Sequence, residues 1–127
     1  MGSNDRWIDL KVSHQLSSSS ANYQVATQRC AFVGVHVAPG TSDGQIAIFD
    51  WDGSTGSAPT GLSSSKLKLC FNMGDTGANQ PNGGVWFACP GGTGIELADG
   101  MYVKLDGAAG DYTSSNLIKA ATIFFSG

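Results

Sequence analysis

A chain of 127 residues has room for one hydrophobic core, so a single domain is the expected organisation. Only 13% of the residues are charged, and a net charge of −3 with scattered lysines and arginines excludes the basic field that binds a nucleic-acid backbone. No apolar run is long enough for a membrane-spanning helix, and the opening residues lack the apolar stretch of a signal peptide. Neither nucleic acid nor a membrane is therefore expected as a partner.

The first 28 residues combine a strand pattern with a linker pattern. Alternation over residues 7–12 places Leu10 and Val12 on one side of a segment that has polar residues on the other, as in a half-buried strand. Four consecutive serines follow, which is typical of a flexible linker or loop. The stretch is therefore predicted to be an extended N-terminal arm, or a first strand followed by a serine-rich linker, ahead of a domain over residues 29–127.

The rest of the sequence predicts short strands separated by turns. Residues 29–37 are apolar on both faces, as in a central strand. Pro-Gly and Asp-Gly turn signals follow, and residues 45–51 are then predicted to form a hairpin with residues 29–37. Alternation recurs in four later segments, at residues 66–71, 85–89, 101–105 and 118–125. Eighteen glycines supply the turns, and no window has helical periodicity with caps. The prediction is an all-β fold, an antiparallel β-sandwich or jelly roll of about eight short strands.

Residues 52–65 are almost wholly Gly, Ser, Thr, Ala and Pro, and they exceed the length of a usual hairpin connection. We expect an exposed loop there. The preceding segment 50–54 resembles the opening of a calcium loop, but Gly53 interrupts the alternating oxygen ligands. Gly61 also stands where the pattern requires a bidentate glutamate. No metal site is therefore expected.

No set of catalytic residues is evident in the sequence. Six aspartates adjoin a glycine and are typical turn residues: Asp43, Asp52, Asp75, Asp99, Asp106 and Asp111. His14 and His36 are the only histidines, and their spacing is not that of zinc ligands. The chain has neither a nucleophile elbow nor the lysine of a phosphate-binding loop. We therefore expect no enzyme and no cofactor.

The three cysteines, Cys30, Cys70 and Cys89, have no CxxC spacing, and each lies in an apolar run. Three buried thiols in a protein made in a reducing cytoplasm are the favoured interpretation. One disulfide with a free thiol is the alternative.

Several aromatic and apolar side chains are candidate contacts with a partner. Trp51, Trp86 and Tyr102 have flat faces of the kind that bind sugar rings, although packing in the core or against another subunit is the favoured interpretation. The last predicted strand, residues 118–125, is apolar on both faces, so a second subunit is expected to cover one of them if both are buried. The predicted partner contacts are Trp7, Ile8, Leu10, Trp51 and Trp86.

Four segments follow one another along the domain: FVGVHV at 32–37, QIAIFD at 45–50, GIELADGMYV at 94–103 and ATIFF at 121–125. In this order they resemble small β-sandwich virion proteins of tailed bacteriophages. The likeness covers roughly residues 29–127. It consists of strands and turns rather than of a chemical motif, so it brings no catalytic residues with it.

The resemblance implies a structural protein of a phage virion, made in the cytoplasm of the bacterial host. The most specific expectation is a capsid decoration or cement protein that binds across neighbouring subunits of the major capsid protein. The decoration protein is expected to be a homo-oligomer, with a trimer as one option. A head-fibre, tail-fibre or adaptor component is the alternative within the virion. From another class, a lectin-like module would use Trp51 or Trp86 together with the loop at 52–65.

Overall fold

The computed structural model of the chain describes residues 10–16, 22–37, 44–59, 61, 63–74, 85–90, 93–106 and 120–127. Within these ranges the chain forms nine β-strands and no α-helix. The strands are β1 (Leu10–Leu16), β2 (Asn22–Ala26), β3 (Cys30–Val37), β4 (Gly44–Phe49), β5 (Leu67–Gly74), β6 (Val85–Ala88), β7 (Ile95–Leu97), β8 (Met101–Asp106) and β9 (Ala120–Ser126). The predicted all-β fold of short strands is confirmed.

The strands form two antiparallel sheets that pack together as a β-sandwich. Sheet A has the order β1-β9-β3, and β6 and β7 both pair with the other edge of β3. Sheet B has the order β2-β8-β4-β5. Consecutive strands therefore often lie in opposite sheets.

The hairpin predicted from residues 29–37 and 45–51 is wrong. The first segment contains β3 of sheet A, whereas the second contains β4 of sheet B, which pairs with β5 and β8. Glycine and proline signals mark where the chain bends, but they do not determine which sheet it enters next. Both segments instead contribute side chains to the core, from different sheets.

The hydrophobic core lies between the sheets. Its fully buried side chains include Phe32 and Ile123 from sheet A, and Ile46 and Val103 from sheet B. Complete burial of side chains of this size stabilises the fold by about 1.5–3 kcal/mol each. In every one of these strands the alternate residues point away from the core, so each sheet also has an outer face.

Two strands occupy part of the N-terminal stretch 1–28. β1 pairs with β9 along its whole length, and β2 pairs with β8. Residues 10–16 thus belong to sheet A and residues 22–26 belong to sheet B. Trp7, Ile8 and the serine run lie outside the described residues.

Asp50, directly after β4, connects the two sheets at one end of the sandwich. Its carboxylate accepts backbone hydrogen bonds from the turn between β7 and β8: Oδ2 lies 3.0 Å from Ala98 N, and Oδ1 lies 2.8 Å from Asp99 N and 3.3 Å from Gly100 N. The turn approaches its neighbours so closely that a Cβ at Gly100 would lie 2.7 Å from the Trp51 carbonyl oxygen. Only glycine fits there without movement of the backbone.

Candidate functional site

Two rows of residues cross sheet A on the side opposite the core. The strand register aligns Val12, Phe124, Gly34 and Ala88 in one row and His14, Thr122, His36 and Trp86 in the next. Directly opposed residues of antiparallel strands point to the same side of a sheet, and the intervening Ile123 and Val35 point into the core. We call the surface formed by these two rows together with Leu10 and Val33 the A face.

The A face carries all three large apolar side chains that are strongly exposed in the described part of the chain. The exposed fractions are 49% for Leu10, 59% for Val12 and 65% for Trp86. Single apolar residues on a surface are ordinary, but a contiguous set on one face marks an interaction site. The A face is therefore the candidate functional site.

β1 is oriented with its apolar side away from the core. Leu10 and Val12 point outward, whereas Lys11 between them is half-buried and its Nζ donates a hydrogen bond to the Gly127 carbonyl oxygen at 2.7 Å. The predicted alternation is confirmed, but the side that it was expected to bury is exposed. The register with β9 fixes this orientation, because a shift of one residue would turn every side chain to the opposite face. Leu10 and Val12 are therefore exposed on the outer side of sheet A.

A groove of about 230 Å³ runs through the A face, and its accessible lining is apolar. On one side the Trp86 ring stacks on the Phe124 ring, with centroids 5.8 Å apart and planes 23° from parallel. The Trp86 ring also contacts the His36 ring at 4.5 Å. Gly34 lies so close to β6 that a Cβ at this position would be 2.8 Å from the Phe87 carbonyl oxygen. The result is a ridge of stacked rings beside bare backbone.

The polar groups of the A face carry no formal charge when the histidines are neutral. His14 Nδ1 lies 2.7 Å from Thr122 Oγ1 on the neighbouring strand. At the corner of sheet A, Arg29 and Glu96 form an ion pair with each other, and Arg29 Nε lies 2.8 Å from Glu96 Oε2. Lysine, arginine, aspartate and glutamate are missing from the two rows. The A face is thus neutral as well as apolar.

The structure separates the predicted partner contacts. Leu10 and Trp86, from strands at opposite edges of sheet A, both line the groove of the A face. Trp51 lies on the outer side of sheet B, where its ring meets the Tyr102 ring at 5.0 Å and nearly at right angles. Sequence reasoning did not single out Val12 as a contact, nor Phe124, although the apolar character of both faces of the last strand already pointed to a covered surface there.

The depression beside Trp51 is wide and shallow, with a volume of about 750 Å³. Much of its polar lining already takes part in internal hydrogen bonds. Asp52 Oδ1 accepts the backbone N–H groups of Ser54 and Thr55, both at 2.8 Å, and the Trp51 indole donates to the Thr55 carbonyl oxygen at 2.7 Å. The hydrogen bonds from the Ser54 and Thr55 amides, with one from the Thr55 hydroxyl, hold the pKa of Asp52 well below its usual range.

The resemblance of residues 50–54 to a calcium loop has a simple structural basis. Asp52 uses its carboxylate to close its own turn, as aspartate commonly does, and Asp50 uses its carboxylate to hold the 98–100 turn. Across the described ranges, no three His, Cys, Asp or Glu side chains are grouped closely enough to bind a metal ion.

All three cysteines are free thiols. Burial is confirmed for Cys30 and Cys89, whereas Cys70 is only half-buried. Burial raises the pKa of both buried thiols, and the Asp50 carboxylate raises that of Cys30 further. Both thiols are therefore protonated and weakly nucleophilic at neutral pH.

Comparisons of the chain with protein-family models, with curated proteins and with solved structures find no match. None of the described segments forms a helix long and apolar enough to cross a membrane. The exposed apolar side chains and the groove make the A face the candidate functional site on physical grounds alone.

Proposed function

We propose that this chain is a structural protein that acts by docking to protein surfaces. Within that class we propose a capsid decoration or cement protein of a tailed-bacteriophage virion. The observation that supports docking is the A face, with Leu10, Val12 and Trp86 exposed around an apolar groove. Removal of apolar surface from water contributes about 25 cal/mol per Å², so a protein partner that covers this face gains free energy. The resemblance of four strand segments to phage virion proteins supports the narrower assignment.

The state of the reactive side chains favours binding over catalysis. The Asp50 and Asp52 carboxylates accept hydrogen bonds from backbone amides in turns, and the Cys30 and Cys89 thiols are buried. A general acid, a general base or a nucleophile needs access to a substrate. These four groups act instead as parts of the scaffold.

Binding of the chain to empty capsids of the encoding phage tests the proposal. We expect the wild-type protein to co-sediment with the capsids at saturable stoichiometry. Trp86→Ser removes apolar area from the A face and should weaken binding at least tenfold. Lys68→Ser, at an exposed position on β5 of sheet B, is the matched control and should bind like the wild type. No saturable binding of the wild-type protein would contradict the decoration role.

The N-terminal stretch needs a shorter deletion than residues 1–28. Removing all of it would delete β1 and β2, so any loss of capsid binding would reflect loss of the fold. Deletion of residues 1–9 leaves both strands in place and tests whether the segment containing Trp7 and Ile8 contributes to capsid binding. Unchanged binding would show that residues 1–9 make no contribution.

A position in a head fibre, a tail fibre or an adaptor would use the same kind of docking. Labelling of intact virions with an antibody against the chain distinguishes these positions. Label distributed over the capsid supports decoration, whereas label confined to the tail or to fibres supports the alternative.

A lectin-like module is the second candidate, and the depression with Trp51 and Tyr102 on its lining favours it. It predicts that the wild-type protein is retained on immobilised glycans and that Trp51→Ala loses retention without a change in the circular dichroism spectrum. The internal hydrogen bonds of Trp51 and Asp52 leave fewer polar groups for a sugar. Absence of glycan retention by the wild-type protein would exclude this candidate.

A further inference from the structure

We infer that the A face packs against the A face of a second copy of the chain, in a two-fold symmetric dimer. The inference rests on the proposed docking role of this face and takes a second copy, in place of a capsid protein, as the partner that covers it. A twisted sheet is matched in shape by another sheet of the same twist, packed about 10 Å away with the strands about 30° apart. A second copy supplies such a sheet.

The charge distribution favours a copy of the same surface. In a two-fold dimer each surface meets itself, so any unpaired charge near the axis would meet its own equivalent. The two rows of the A face contain no Asp, Glu, Lys or Arg, and Arg29 and Glu96 at the corner neutralise each other. The chain as a whole has a net charge of −3. Two copies therefore approach each other with least repulsion through a neutral face such as this one.

The A face has both a projecting part and a recess. The stacked rings of Trp86 and Phe124 form a ridge, and Gly34 and Ala88 form part of an open groove beside it. A two-fold rotation places the ridge of each copy over the groove of the other, so the same contact is made twice. The exposed Trp86 indole then fills an apolar space of about 230 Å³.

The size of the A face sets the expected strength of the dimer. Four adjacent strands at spacings of about 4.8 Å, with about five residues each at about 3.4 Å, give a face of roughly 19 by 17 Å. Two such faces together have a projected area of roughly 650 Å², which is below the standard size of a specific interface. A weak dimer is therefore expected, with a dissociation constant on the order of micromolar or above.

Sedimentation velocity between about 1 and about 300 µM tests the inference, since this range brackets a micromolar dissociation constant. We expect the mass of the wild-type protein to rise from 13.1 kDa toward twice that value with concentration. Val12→Ser and Trp86→Ser should each weaken dimerisation at least tenfold, and Lys68→Ser should not change it. Circular dichroism spectra like that of the wild type verify that both variants are folded. Trp86→Ser should melt a few degrees lower, because its ring contacts with Phe124 and His36 are lost.

Three results would overturn the inference: a monomer at every concentration, a trimer, or a dimer that persists in both A-face variants. The co-sedimentation experiment with capsids distinguishes a failure of this inference from a failure of the proposed function. A monomer that binds capsids through Trp86 would refute the second copy as the partner and keep the docking role. A dimer that ignores capsids would refute the decoration role and leave the A-face dimer standing.

Discussion

Replacing Asp50 with alanine removes the acceptor for three backbone N–H groups at once. These groups belong to residues 98–100, the turn through which the chain passes from β7 of sheet A to β8 of sheet B. Because Asp50 itself follows β4 of sheet B, its carboxylate holds the crossing point of the two sheets. The N–H groups of this turn lose their acceptor in the variant.

The expected loss follows from the number of bonds and from their partial exposure. A hydrogen bond to a charged acceptor contributes roughly 1.5–3 kcal/mol, and the values for bonds that share one acceptor are not additive. Asp50 is half-buried, so water replaces part of what is lost. We therefore expect Asp50→Ala to lower the free energy of unfolding by about 3–4 kcal/mol. Asp50→Asn keeps one oxygen acceptor and should cost about half as much.

Urea unfolding followed by tryptophan fluorescence measures both variants, and the Asp50→Ala midpoint should fall by about 2 M for an m-value of about 1.5 kcal/mol/M. Asp99→Ala is the matched control, since it changes an exposed side chain in the same turn and keeps the backbone N–H that Asp50 accepts. We expect the control to stay within about 0.5 kcal/mol of the wild type. A loss below about 1 kcal/mol in Asp50→Ala would refute the reasoning.

Two further predictions concern the thiols and the A face. The raised pKa values of Cys30 and Cys89 predict slow alkylation by iodoacetamide at pH 8 in the folded protein and fast alkylation in urea, as measured by mass spectrometry. Equal rates in both states would contradict burial. Gly34→Ala should lower the free energy of unfolding in urea by about 1–3 kcal/mol, because the alanine Cβ would lie 2.8 Å from the Phe87 carbonyl oxygen. A change below about 0.5 kcal/mol would show that the backbone around Gly34 can move to make room.

The sequence predicted the positions of the strands better than it predicted which strands pair with each other. The alternation in residues 101–105 placed Met101, Val103 and Leu105 on one face, and all three are buried in the core. The same reasoning could not pair the strands, because local periodicity contains no information on which distant segment supplies the hydrogen bonds. Residues 29–37 and 45–51 therefore entered a predicted hairpin although they lie in different sheets.

The A face shows a second limit of sequence reasoning. Alternation defines two sides of a strand, but the register with a neighbour decides which side faces the core. Leu10 and Val12 were expected to be buried, and they are exposed because β9 aligns Val12 with the outward Phe124. Leu10 and Trp86 were both predicted contacts, yet their common groove depends on pairings between segments far apart in sequence.

The pairing of β1 with β9 gives the sandwich a direction of mechanical weakness. Leu10 at the start of β1 lies opposite Ser126 at the end of β9. A force that separates these two residues acts across the strand pair at one end, so the hydrogen bonds between the strands break one after another instead of all at once. β1 would peel away first and take Leu10 and Val12 out of the A face. Tension at this corner would thus remove Leu10 and Val12 from the A face before the core opens.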